Sequence, residues 1–226
     1  MKLRNLSNLV KPSIVTIGTF DGVHQGHKSL INYLVETGKK FHQTPVVIIF
    51  KEKPKNFFLR KKILNLCSLD EREQIIKSLG VENIISLKFD KNIQELSSSK
   101  FFDSLMNNIG VQTFILGSDS KIGSDQAGYD ELKYNHPHIK FIKFKPKKNK
   151  GKIISSTLIR EAIENGDCEK TKDLLGRFYT IKGRVTKGNN IGEKLGFPTA
   201  NLIPPLNIVI PKDGIYASII EYNQKK

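Results

Sequence analysis

The chain reads as an α/β protein: a parallel β-sheet covered by helices, followed by a small antiparallel β unit. Three observations predict this. Short β-branched, apolar runs alternate with helical periodicity through the first three-quarters of the sequence, the pattern of strands joined by crossover helices. The first such strand breaks at a glycine-rich turn that leads directly into an amphipathic helix. After about Arg177 the character changes: glycine becomes frequent, and Pro204, Pro205 and Pro211 exclude long helices.

Taken in order, strands are expected at 13–18, 45–50, 83–88, 111–116 and 139–144, and helices at 26–39, 70–79, 99–108 and 156–164. Ile14, Val15 and Ile17 make the first strand a buried one, and Leu30, Ile31, Leu34 and Val35 share one face of the first helix. Asp70 with Glu73 three residues on resembles a capping box, and Gly80 stands where that helix should end. In the last segment the alternation of Tyr179–Lys187, then Ile208–Ile210 and Gly214–Glu221, reads as strands. The expected division is therefore a first domain at 1–176 and a second unit at 177–226. A β unit so short is marginal alone and is expected to lean on the first domain or to be incomplete.

Parallel sheets bind ligands beyond the carboxyl ends of their strands. Four loops converge there: Gly18–His27, Phe50–Phe58, Gly117–Gly128 and the segment before Ser155. In the first, Gly18, Gly22 and Gly26 accompany His24 and His27 at the start of a helix. Glycines admit close backbone approach, and a helix N-terminus offers free N–H groups and positive dipole to an anion. Two imidazoles three residues apart can donate to oxygens that gain charge in phosphoryl transfer. Ser155, Ser156 and Thr157 precede another helical pattern with Arg160 one turn on, a set of hydroxyls and a guanidinium suited to phosphate.

Composition bounds the answer. With 226 residues, 38% hydrophobic and 26% charged, the chain suits a globular protein of one good core plus a small second unit. No apolar run reaches membrane-span length, and the N-terminus lacks a signal-peptide core, so neither membrane insertion nor secretion is expected. Cys67 and Cys168 lie far apart without metal-ligand spacing, which fits reduced thiols in the cytoplasm. The net charge of +15 is spread mostly as lysine without a nucleic-acid-binding motif. Its densest run, Lys143 to Lys150, is expected to be a solvated loop.

The spacing of Gly18-Thr19-Phe20-Asp21-Gly22-Val23-His24-Gln25-Gly26-His27 is that of the nucleotidylyltransferases, and it closely resembles the signature of the bacterial bifunctional riboflavin kinase/FMN adenylyltransferase (FAD synthetase) family. Ile154-Ser155-Ser156-Thr157-Leu158-Ile159-Arg160 is similar to a second family motif, with Leu158 where an arginine is usual. Gly117, Asp119, Gly123 and Gly128 match a third, whose two aromatics are here Ser120 and Ile122. Phe50 and Pro54 match a fourth, in which Glu52 and Lys53 stand in place of a proline and a histidine. Gly183, Gly188, Gly192 and Gly196-Phe197-Pro198-Thr199-Ala200-Asn201 resemble the riboflavin kinase domain.

The resemblance implies a Rossmann-like nucleotidylyltransferase domain followed by an incomplete riboflavin-kinase-like β unit. It implies transfer of AMP from ATP to FMN, giving FAD and pyrophosphate, with Mg²⁺ as the metal. His24, His27 and Arg160 would be catalytic. Gly18, Phe20, Gly26, Gly117, Asp119, Ser155, Ser156 and Thr157 would bind ATP, and Phe50 and Pro54 flavin. Thr199 and Asn201 would hold the kinase Mg²⁺, oxygen ligands for a hard cation. The sequence stops at Lys226, short of the family's catalytic glutamate, so riboflavin phosphorylation is expected to fail. The partners expected are small molecules. Two alternatives remain open: another nucleotidylyltransferase, or a basic nucleic-acid-binding module on an inactive scaffold.

Overall fold

A computed structural model describes residues 12–145, 148–149, 151–186, 188, 196 and 199–222. Its centre is a five-stranded, wholly parallel sheet of β1 (Ser13–Gly18), β2 (Thr44–Phe50), β3 (Asn83–Leu87), β4 (Val111–Gly117) and β5 (Lys140–Phe144), in the spatial order β3-β2-β1-β4-β5. Chain order reverses between β1 and β4, and a crevice opens beyond the carboxyl ends of strands at such a switch point.

Alternation along the strands feeds two cores. Val15, Val46, Ile48 and Phe114 face one side with Phe102, Leu105 and Ile109 of α5 (Ser98–Ile109). Ile14, Val47, Ile49 and Ile115 face the other with Ile31 and Leu34 of α1 (Gln25–Phe41) and Ile76 of α3 (Leu69–Ser78). The five strands expected up to residue 144 and the four expected helices form within one or two residues of their expected bounds. The cap of α3 differs: Ser68 Oγ accepts from the Glu71 N–H, and Glu71 Oε2 accepts from the Ser68 N–H. The box therefore lies two residues before the expected Asp70–Glu73 pair, and the helix ends at Leu79, followed by Gly80 at φ 92°. Ser68→Ala is expected to lower stability by about 1 kcal/mol in urea unfolding.

Further helices were not apparent from periodicity: α2 (Pro54–Phe58), α4 (Lys91–Gln94), α6 (Tyr129–Asn135) and α8 (Cys168–Leu175). All are short, and periodicity needs more turns than these provide. The basic run expected as a loop contributes Lys143 to β5. It also forms half of a small hairpin, β6 (Lys148–Asn149) with β7 (Lys152–Ile153).

The last segment departs most from expectation. Among the described residues of this segment, β8 (Arg184–Thr186) and β9 (Asn201–Ile203) pair as antiparallel strands. Ile208–Ile210 is not a strand; Ile208 makes a single parallel bridge to Asn65. Gly214–Glu221 carries no strand either, because an extended apolar stretch becomes a strand only with a partner backbone to bond. Gly192, Phe197 and Pro198 of the glycine-rich motif lie outside the described residues.

Residues of this segment pack and hydrogen-bond against earlier parts of the chain. Val209, 1% exposed, joins Leu66, Ile154, Leu174, Leu175 and residues of α7 (Ser156–Glu164) in a third core cluster. The Asn65 N–H donates to Asn207 O at 2.7 Å and the Val209 N–H to Asn65 O at 2.9 Å; within the segment, the Tyr179 hydroxyl donates to Val209 O at 2.7 Å.

Candidate active site

β1 delivers its chain into a left-handed corner. Phe20 (φ 48°), Gly22 (φ 77°) and Val23 (φ 36°) turn the backbone through a single 3-10 turn at Asp21–Val23 before α1 begins. At Gly22 a side chain would also meet Leu66 at 2.8 Å, so both conformation and space require glycine. The corner aims His24 back over the first turn of α1, where it serves as N-cap: its Nδ1 accepts from the His27 N–H at 3.3 Å. With Nδ1 an acceptor, the proton of neutral His24 sits on Nε2.

The two imidazoles stack, centroids 3.6 Å apart and 17° from parallel, and the Phe20 ring meets His27 edge-on at 5.2 Å. Burial pushes His24 down to about 4, with Asp21 pulling the other way and Arg177 adding to the depression. Burial, reinforced by His24, also holds His27 well below the usual imidazole range, and His27 Nδ1 is enclosed without a protein partner among the described residues. Both rings are therefore neutral hydrogen-bonding groups at pH 7. A polyanion beside them would raise their proton affinity.

This has a consequence for stability. The unfolded chain binds protons on these histidines near pH 6.5, which the folded chain refuses. Stability should thus rise with pH across the interval from about 4 to 6.5 and be lost as pH falls through it. For His24 the full difference is about 3 kcal/mol. Urea midpoints should be flat above pH 7 and decline steadily below pH 6.5.

Other predicted residues gather around this pair. Ser155 caps α7, accepting from the Leu158 N–H, and the Ser156 hydroxyl donates to Asp21 O at 3.0 Å, which joins the start of α7 to the corner before α1. A Cβ on Gly26 would lie 3.1 Å from the His24 ring and 3.5 Å from Ile154 O, so glycine admits this close approach. Thr157 is exposed. Gly18 lies under the Phe20 ring, and Gly117 and the exposed Asp119 stand just past β4, across the switch point from β1. Leu158 packs on the third core cluster and Ile122 is buried in the first, so these departures from the family pattern serve packing.

On the other side of β1, Phe50 ends β2 and meets Phe89 edge-on, while Pro54 opens α2 and brings Phe57 and Phe58 onto the same ring. Phe57 and Phe58 are 47% and 64% exposed, an aromatic surface beside the crevice. Thr199 and Asn201 are exposed and lie apart, in the last segment; the Asn201 side chain folds over Gly188, leaving no room there for a Cβ.

The residue that sequence reasoning passed over is Asp21. It is 2% exposed, and its carboxylate accepts from the Leu66 N–H at 2.8 Å, from Lys53 at 3.0 Å and from Arg160 at 2.8 Å. Arg160 is thus tied to a carboxylate rather than standing free. Burial lowers Lys53, Lys28 and Arg177 from their usual ranges. Asp21 acts electrostatically on Lys53, and Glu71 on Arg177. Among the described residues no group of three or more His, Cys, Asp or Glu could hold a metal, and no helix is long and apolar enough to cross a membrane.

Two family models match consecutive parts of the chain. The FAD synthetase family matches residues 7–158, and the riboflavin kinase family residues 175–226. A bifunctional riboflavin kinase/FMN adenylyltransferase of Buchnera aphidicola is 33% identical over 231 residues, covering 99% of this chain and 73% of that one. The protein of that name from Escherichia coli K12 is 31% identical over 95% of this chain and 70% of its own. A crystal structure from Streptococcus pneumoniae, described as a macrolide-efflux protein, superposes with TM-score 0.87 at 32% identity, over 94% of this chain and 71% of that one. By sequence motif, fold and relatedness over nearly its whole length, the chain belongs to the bifunctional riboflavin kinase/FMN adenylyltransferase family.

Proposed function

We propose that the chain is an FMN adenylyltransferase. A phosphate oxygen of FMN attacks the α-phosphorus of ATP, the bond from that phosphorus to the bridging β-phosphate oxygen breaks, and FAD and pyrophosphate result. The observation that carries this reading is the stacked, neutral His24–His27 pair at the start of α1, joined through Asp21 to the start of α7. No nucleophilic side chain is required. His24 and His27 hydrogen-bond to the reacting phosphates as charge shifts from attacking to leaving oxygen, so catalysis is positioning and electrostatics.

Ser155, Ser156, Thr157 and Arg160 would hold the β and γ phosphates at the N-terminus of α7. Gly18, Phe20, Gly26, Gly117 and Asp119 would bound the remainder of the nucleotide across the switch point. Phe50 and Pro54 support a flavin site, since the aromatic surface they organise suits an isoalloxazine ring. Mg²⁺ would neutralise phosphate charge. Thr199 and Asn201 offer hydroxyl and amide oxygens of the kind that ion takes, two residues apart on one extended segment, and would hold it in a second, kinase-type site. The free thiols Cys67 and Cys168 support a reducing, cytoplasmic setting.

Incubation with ATP, Mg²⁺ and FMN, followed by chromatography of flavins, tests the reading. FAD with stoichiometric pyrophosphate is the expected result; FMN left unchanged overturns it.

A further inference from the structure

Four segments meet in a closed ring of hydrogen bonds around Asp21. Arg160 Nη2 donates to Asp21 Oδ2, and Arg160 Nε donates to Leu64 O at 3.0 Å. Lys53 donates to the same Leu64 O at 2.9 Å, to Ile63 O at 3.4 Å and to Asn65 Oδ1 at 2.5 Å, and is ion-paired to Asp21 Oδ2. The Leu66 N–H returns to Asp21 Oδ1. The ring joins the corner after β1, the turn after β2, the 63–66 segment and α7. Asp21 and Lys53 are buried, and the Arg160 side chain is 14% exposed.

Two consequences follow from elementary chemistry. A guanidinium held by two of its nitrogens has its plane fixed, so its remaining N–H groups are preorganised. An ammonium has three protons, and Lys53 has enough protein acceptors to engage all of them. Lys53 therefore acts on its neighbours rather than on a ligand. The ring also holds two cations against one carboxylate, an excess positive charge that is costly in a low-dielectric setting unless an anion arrives.

We propose that Asp21 and Lys53 are positioning residues: the ring they close fixes Arg160 and keeps a net positive charge beside His24 and His27 for the polyphosphate of ATP. The inference rests on the nucleotide reading of the site and deepens it. It also explains why Asp21, an anion, sits at the centre of a site for anions.

The test is a cycle of Asp21→Asn, Arg160→Met and the double variant, with Lys53→Met beside it. Each is assayed for FAD formation, for binding of a non-hydrolysable ATP analogue by calorimetry, and for its unfolding midpoint. Each single variant should lose about ten- to a hundredfold in kcat/KM for ATP, from loss of a charge-assisted contact, with KM for FMN within about threefold of wild type. The double variant should be no worse than the poorer single one. Lys53→Met should weaken analogue binding about tenfold while Arg160 stays paired. A purely structural role would lower the unfolding midpoint without separating ATP from FMN.

An Asp21→Asn protein with ATP kinetics within threefold of wild type overturns the proposal, as does a double variant whose loss is the product of the single losses. If Asp21→Asn does not fold, unaltered analogue binding by Lys53→Met overturns it instead. The unfolding midpoints of the same proteins read the Asp21–Arg160 coupling without nucleotide. A wild-type chain inert to ATP and FMN would therefore refute the functional reading separately, while additive midpoints refute the ring.

Discussion

Replacing His27 with alanine is expected to slow FAD formation about a hundred- to a thousandfold, the usual cost of removing one preorganised donor from developing charge. The ring lies between Phe20 and His24, held by contacts of 5.2 and 3.6 Å between centroids, and its loss removes no backbone hydrogen bond, since the His24 cap uses the His27 main-chain N–H. The variant should therefore fold and keep most of its affinity for nucleotide, with the deficit in kcat. Steady-state assays with ATP and FMN beside an unfolding curve check both halves. Near-normal turnover in a folded His27→Ala protein would take this histidine out of the chemistry.

The second large effect is on stability. Arg72, 3% exposed on α3, donates from Nη1 to Thr19 O at 2.7 Å and Phe50 O at 3.0 Å, from Nη2 to Lys51 O at 2.8 Å, and from Nε to Ser68 O at 3.4 Å. It ties together the chain leaving β1 and the chain leaving β2, where carbonyls have run out of sheet partners. Arg72→Met takes the donor from the Thr19, Phe50 and Lys51 carbonyls, while Ser68 O keeps the Arg72 main-chain N–H, and should cost about 3 kcal/mol. Arg72→Lys should recover little, since one ammonium cannot reproduce the planar fork. Urea midpoints measure this, and a loss below about 1 kcal/mol would mean that the freed carbonyls find other donors.

The central sheet was legible because its strands are buried on both faces and so are written as unbroken apolar runs, such as Val46–Ile49. The corner after β1 was legible because Gly18, Gly22, Gly26, His24 and His27 cluster within one short run. Asp21 was not, although it lies inside the corner's own signature. Its partners Arg160 and Lys53 come from other segments, Arg160 139 positions away, and linear spacing carries no trace of that meeting. Lys53 showed in the sequence only as a departure from the family's histidine; in the fold it is buried against a carboxylate. Arg72 was hidden for the opposite reason, a charged residue on an amphipathic helix that reads as solvent-facing. The last segment failed as strands because β pairing is a property of two segments, and apolar residues such as Ile215 and Ile219 name only one of them.

The stretch 63–66 makes contacts on both sides. Its carbonyls and one N–H serve Lys53, Arg160 and Asp21, while Asn65 alone bonds residues 207 and 209 of the last segment in both directions. It works as a rail shared by two carriages. Residues 207–209 are thus seated on the same short stretch that holds the Arg160 guanidinium, and Asn65 touches both, bonding the last segment through its backbone and Lys53 through its Oδ1.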